Sequence, residues 1–323
     1  MALCRGLLQF VSGKCNNMNF RTPIQISKAP FTIEPCERML FVGSCFADNI
    51  GRRFVDDKFR AVVNPYGVMY NPASILHTVR RYLDELKAEN LSSVDASGVQ
   101  ADVYPQTVVF TLGTNHVYIL NETGEIVDNC RKRPQRLFTE RELTIDECRQ
   151  YLSETVDLLR AVNPSVRVVV TVSPIRYAKY GYHGSQLSKA TLLLAADSLV
   201  RQYMALGCEE PAGKQDGIVC DGVQVVYFPA YEIVNDELRD YRFYREDMLH
   251  PSDQAVEYIW ERFAETFFSK QTYKFLEEWH PLKAALAHRP FNPDGDEYRD
   301  FIRRTMEKVE ALRVKYPGLN VGR

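Results

Sequence analysis

The segment Gly43-Ser44-Cys45-Phe46-Ala47-Asp48 follows a short apolar run, Met39-Leu40-Phe41-Val42, and leads into a stretch of helical character. A nucleophile at such a strand-to-helix turn gains twice. It is exposed outside the carboxyl end of the strand, where open α/β sheets bind ligands, and the helix N-terminus favours its anionic form. Gly43 gives the backbone freedom to turn. The competing reading is plain capping, with Ser44 or Asp48 serving the helix start beside a buried Cys45. Far downstream, Asp247-Met248-Leu249-His250-Pro251 precedes a helix entry at Ser252-Asp253. The i, i+3 spacing lets a carboxylate orient an imidazole and stabilise its charge when it deprotonates a nucleophile. Two more loops, Asn64-Pro65-Tyr66-Gly67 and Gly113-Thr114-Asn115, each follow a strand candidate. The Gly67 N–H and the Asn115 carboxamide are donors of the kind that stabilise an oxyanion. Each loop alone is ordinary turn chemistry. All four segments together are improbable as coincidence.

Positioning them requires a framework, and the patterning supplies one. Short β-rich runs at 39–42, 61–63, 107–111, 166–172 and 223–228 alternate with helix-period segments at 48–59, 72–86, 141–162, 187–206 and 253–268. This alternation predicts an α/β fold with a mostly parallel sheet and helices on both faces. A hairpin is expected over 116–128, turning at Glu122-Thr123-Gly124. The apolar density at 190–199 suggests a buried helix. The last 50 or so residues predict helices broken at Pro281 and at Pro290-Phe291-Asn292-Pro293.

Composition narrows the function. The 323 residues carry 40 Lys+Arg against 42 Asp+Glu, a net charge of −2, so nucleic acid is not expected as a partner. No apolar run approaches the ~20 residues of a spanning helix. The 8 Cys never form Cys-x-x-Cys and the 6 His are dispersed, so neither a metal site nor any other cofactor is expected. There is no Gly-x-Ser-x-Gly elbow and no Gly-x-Gly-x-x-Gly after the first strand. Gly207–Lys214 looks like a phosphate loop but has the wrong glycine spacing. The first residues make a poor signal peptide. A cytoplasmic setting is expected, with export left open, and Met18 competes with Met1 as the start.

The four segments resemble the blocks of the SGNH (GDSL-type) hydrolase superfamily. More closely, the chain resembles the GSCFA family, named for the string at Gly43-Ser44-Cys45-Phe46-Ala47. Asn64-Pro65-Tyr66-Gly67, Thr171–Arg176, Ser188-Lys189-Ala190 and Phe228–Glu232 are also family-like. The resemblance spans about residues 19–270. It implies a three-layer flavodoxin-like fold over 19–270 and a hydrolase-type site. Residues 271–323 would be a helical extension packed on the same domain, and 1–18 a disordered or misassigned start. The implied activity is hydrolysis or transfer of an acyl group from a small-molecule or carbohydrate ester, or a thioester.

The pattern departs from the superfamily at the nucleophile. Cys45 stands where the GDSL serine would, and Ser44 where the Asp would. Either Cys45 attacks as a thiolate, or Ser44 attacks with Cys45 packed beneath; register within the block favours Cys45. His250 is then the base, Asp247 its orienter, and Gly67, Asn115 and the Cys45 N–H the oxyanion donors. Arg176 and His183 are candidates for substrate contact. His116 replaces the Asp that often follows the Asn in GDSL enzymes. The rival function is a binding module that keeps the fold without turnover. Oligomeric state is left open.

Overall fold

The computed structural model describes residues 21–92, 103–207, 224–291 and 295–321. In chain order the elements are β1 (Arg38–Gly43), α1 (Cys45–Asp56), β2 (Arg60–Val63), α2 (Pro72–Ser92), β3 (Thr107–Leu112), β4 (His116–Leu120), β5 (Ile126–Val127) and β6 (Phe138–Glu142). There follow α3 (Ile145–Val162), β7 (Arg167–Val172), α4 (Gly181–Gly207), β8 (Gln224–Tyr227), α5 (Ala230–Glu232), α6 (Asp253–Phe267), α7 (Lys270–Ala287) and α8 (Asp296–Lys315).

Five strands pair in parallel in the order β2-β1-β3-β7-β8. Near-continuous apolar strands mark a sheet covered on both faces, and β1, β3 and β7 are buried almost throughout. Alternation divides their side chains between two cores. Met39, Phe41, Val109 and Val169 face α1, α6, α7 and α8. Leu40, Val42, Val108, Phe110, Val168 and Val170 face α2, α3 and α4. This is a three-layer, flavodoxin-like arrangement, in which strand order reverses beside β1. That switch point opens at Gly43.

Several local expectations need correction. The hairpin acquires a third strand, giving an antiparallel sheet in the order β5-β4-β6. Arg141 and Glu142 therefore end β6, and α3 starts later, behind Thr144 and its reciprocal capping bonds with Glu147. Helix α4 is amphipathic rather than buried all round: Leu192, Ala195, Ala196 and Leu199 are inside, while Leu194 is 54% exposed. Helix α7 runs straight through Pro281. The ring removes one helical hydrogen bond, but burial of Phe275, Leu276, Trp279 and Leu282 holds both sides of it in one helix. The chain does break between α7 and α8, where the second break is expected.

The C-terminal helices share the core of α1 and α6. Trp279 Nε1 donates to Asp56 O at 3.4 Å, and Lys283 Nζ to Asp57 Oδ1 at 2.8 Å. Among the described residues no helix is long and apolar enough to cross a membrane. Residues 1–18, with both start candidates, and Gly207–Lys214 beyond Gly207 lie outside the described residues.

Candidate active site

The turn after β1 is built by its neighbours. Gly43 has φ +149°, and a Cβ there would lie 2.2 Å from Thr111 O, so only glycine fits. Its N–H donates to Asn64 Oδ1 at 2.9 Å, and Asn64 Nδ2 donates to Asp48 Oδ1 at 2.7 Å. Ser44 caps α1. Its N–H donates to Thr111 O, its Oγ accepts from Phe46 N at 3.3 Å, and it lies 3.2 Å from Thr111 Oγ1 in a hydroxyl–hydroxyl bond. Ser44 is 2% exposed. Cys45, the first helical residue, is half-buried and has Tyr70 Oη 3.8 Å from its Sγ. Its N–H, in the first turn, has no intrahelical acceptor. Burial, and after it the nearby Cys45, raise the Tyr70 phenol above its ordinary range. Tyr70 therefore stays protonated and able to donate toward sulfur or a bound oxyanion.

His250 is held by Asp247. The Asp247 Oδ2–His250 Nδ1 distance is 2.5 Å, and Oδ1 accepts the N–H groups of Leu249 (2.9 Å) and His250 (3.0 Å). Those backbone donors, then the imidazole, pull the Asp247 carboxyl down to about 2. With Nδ1 engaged, Nε2 is the nitrogen left to exchange a proton. Met248 turns this loop at φ +56°. Arg176 braces it: its N–H donates to Leu249 O at 3.0 Å and its Nη1 to Met248 O at 3.1 Å.

These parts meet in a cavity of about 250 Å³, whose lining includes Ser44, Cys45, Tyr70, Arg176, Leu249 and His250. Gly113, Ser173, Ile175 and Tyr177 supply more of its wall. The loops behind that wall are tied by Lys189, 3% exposed, whose Nζ donates to Gly113 O (2.7 Å) and Ser173 O (2.8 Å). Desolvation brings its amine down to about 7. Ser188, next to it, receives the Asn115 N–H at 3.0 Å.

Not all sequence-derived candidates converge. Gly67 does not line this cavity: its N–H donates to Asn64 O at 2.9 Å, closing a local turn at φ +97°. Asn115 is also outside the lining, 2% exposed, with Nδ2 donating to Leu143 O at 2.8 Å. The Gly67 N–H and one Nδ2 hydrogen of Asn115 are thus engaged within the fold. His183 lies exposed in the first turn of α4, away from the cavity lining. His116 is buried and stacked on Tyr180, ring centroids 3.6 Å apart, and burial lowers its pKa. Tyr70 and Lys189 are not among the sequence-derived candidates. The family-like string Ser188-Lys189-Ala190 was the one available signal for Lys189, and nothing in local spacing marks Tyr70. Among the described residues no group of three or more His, Cys, Asp or Glu could hold a metal ion.

The GSCFA family matches residues 38–107 and 98–263, and the C-terminal domain of GSCFA domain proteins matches 279–323. The chain belongs to the GSCFA family. No curated protein matches it in sequence. Similar solved structures include a carbohydrate esterase family 3 protein from Talaromyces cellulolyticus, at 14% identity and TM-score 0.38, covering 71% of this chain and 95% of that one. Another is an acetyl esterase mutant with acetate ion, at 13% identity and TM-score 0.38, covering 76% and 99%. A third is a family two carbohydrate esterase from Clostridium thermocellum in complex with cellohexaose, at 13% identity and TM-score 0.31, covering 76% and 65%. At such scores the likeness says nothing about activity.

Proposed function

We propose that this protein is an acyl hydrolase or acyltransferase acting on an ester or thioester through Cys45, His250 and Asp247. The observation that carries this is one small cavity lined by both Cys45 and His250, with the imidazole held from behind by a saturated carboxylate. His250 Nε2 takes the thiol proton, and Sγ attacks the carbonyl carbon. The carbonyl oxygen becomes an oxyanion, for which the Cys45 N–H and the Tyr70 hydroxyl beside Sγ are the proposed donors. Collapse of that intermediate expels the alkoxide or thiolate, which His250 protonates, and leaves a thioester on Cys45. Water or an acceptor alcohol, deprotonated by His250, then releases the acyl group and restores the thiol. Burial of Ser44 in its capping role favours Cys45 as the attacking group.

Turnover of p-nitrophenyl acetate, with Cys45→Ala and Ser44→Ala beside the wild type, tests the assignment. Loss confined to Cys45→Ala, with an acyl adduct on Cys45 by mass spectrometry, is the expected result. Unchanged rates in both Cys45→Ala and His250→Ala would remove it. The binding-module reading has one observation in its favour, the engagement of Gly67 and Asn115 away from the cavity. Ligand retention without turnover and without a Cys45 adduct would select it.

A further inference from the structure

Two cations line the cavity, and they differ in a way that bears on what enters it. Lys179 is neutralised: its Nζ lies 3.1 Å from a Glu140 oxygen. Arg176 has no carboxylate within ion-pair distance among the described residues. Its acceptor is a neutral carbonyl, Met248 O. Two rings hold the guanidinium, Tyr182 at 4.3 Å and Tyr244 at 5.6 Å from its carbon. Asp247, the acid on the adjoining loop, spends its oxygens on Leu249 N, His250 N and His250 Nδ1. A guanidinium packed by rings and held through one nitrogen keeps a planar edge of N–H donors, which matches a carboxylate or phosphate in bidentate fashion.

We infer that Arg176 is a specificity residue, and that the substrate of this site is an ester or thioester carrying its own oxyanion, a carboxylate or phosphate, close to the scissile carbonyl. This rests on the acyl-transfer reading above. A cavity of about 250 Å³ is small against usual ligand pockets of ~300–1,000 Å³. One compact substrate therefore reaches Cys45 and Arg176 together. The remaining wall near them, Ile175, Tyr177 and Leu249, offers apolar contact and no second unpaired charge.

The test uses matched esters that differ by one charge. On the alcohol side the pair is 4-acetoxybenzoate and its methyl ester; on the acyl side it is mono-p-nitrophenyl adipate and p-nitrophenyl heptanoate. The wild type is expected to prefer the anion about tenfold or more in kcat/KM in one pair, as one charge-assisted contact allows. In Arg176→Gln that ratio falls to near one, while the neutral ester loses much less. Equal rates within both wild-type pairs, or a preference surviving in Arg176→Gln, would overturn the inference. Should Arg176→Gln not fold, ionic strength decides on the wild type: the preference must shrink between about 0.01 M and 1 M salt, and a ratio indifferent to salt overturns it. If no ester is turned over, protection of Cys45 from iodoacetamide separates the two ideas. Protection by 4-hydroxybenzoate or by inorganic phosphate, lost in Arg176→Gln, supports the anion site although the acyl chemistry has failed, and shows which oxyanion it takes. Absence of protection by either rejects the anion site as well.

Discussion

Lys189 offers the sharpest test of how the cavity is held. The side chain is 3% exposed, and its Nζ donates to two backbone carbonyls, Gly113 O and Ser173 O, with no acid paired to it among the described residues. A neutral amine has two N–H groups for those two acceptors, whereas an ammonium would bury a third donor and a full charge. Burial accordingly depresses the amine from 10.5 to about 7. The unfolded chain then binds one more proton than the folded one between roughly pH 7 and 10, so stability rises with pH across that window. The penalty is complete below the folded value and vanishes above the unfolded one. One proton corresponds to about 1.4 kcal/mol per pH unit. The perturbation is Lys189→Met, which keeps the stem volume and titrates nothing. It orphans two carbonyls at about 1–3 kcal/mol each but relieves the ~2 kcal/mol titration penalty that the wild type still carries at pH 9, so it should destabilise at pH 9 by ~0–4 kcal/mol. Urea unfolding of both proteins between about pH 8 and 9.5 isolates the titration, because every other group cancels in the difference. The wild-type advantage should grow by about 1.4 kcal/mol per unit of rising pH. A difference independent of pH would refute the reasoning, for it would mean that the folded state carries the ammonium at no cost.

Further outcomes follow from the same geometry. Gly43→Ala drives a Cβ to 2.2 Å from Thr111 O at an unfavourable φ, and should lower stability by ~1–3 kcal/mol or more in thermal unfolding while disordering the Cys45 turn. Asp247→Asn removes the acceptor that sets the His250 ring, and should slow ester turnover at least ~100-fold with unfolding unchanged. Because the Asp247 carboxyl sits at about 2, acidification to pH 4 leaves it ionised, and any activity lost by then must come from another group. Tyr70→Phe deletes the phenol beside Cys45 Sγ and should cost ~10- to 100-fold in kcat with little change in KM, read by steady-state kinetics. Trp279→Ala opens the core shared by the C-terminal helices and α1, at ~3–5 kcal/mol in denaturant unfolding.

What the sequence revealed follows the range of the forces involved. Apolar strands such as Val168-Val169-Val170 announce themselves because both faces are buried. Strand β6, Phe138-Thr139-Glu140-Arg141-Glu142, carries no such mark; it is a polar edge whose ladder exists only because β4 lies beside it. Pro281 reads locally as a stop, and only the distant partners of Trp279 make continuation favourable. The Asp247-x-x-His250 pair is legible because both partners share one loop. Lys189 in an apolar helix pattern looks like a solvated lysine until β3 and β7 bring two carbonyls to it. Gly67 and Asn115 read as oxyanion donors from residue type and from loops that follow strands, and neither says which acceptor each donor meets first.

The choice between Ser44 and Cys45 reduces to what a helix start requires. The first amides of α1 need an acceptor, and at the N-cap a serine hydroxyl supplies one at a benefit of ~1 kcal/mol. Once Ser44 turns inward to Phe46 N and Thr111 Oγ1, its oxygen is committed on the buried side of the turn. The next side chain then emerges on the open side, beside Tyr70 and in the cavity that His250 lines. On the proposed reading, serine at 44 caps the helix and cysteine at 45 is the attacking group. Ser44→Ala should lower stability by ~1 kcal/mol in denaturant unfolding and leave Cys45 alkylation by iodoacetamide within a few-fold of wild type. Loss of alkylation with stability intact would invert the roles assigned to the two residues.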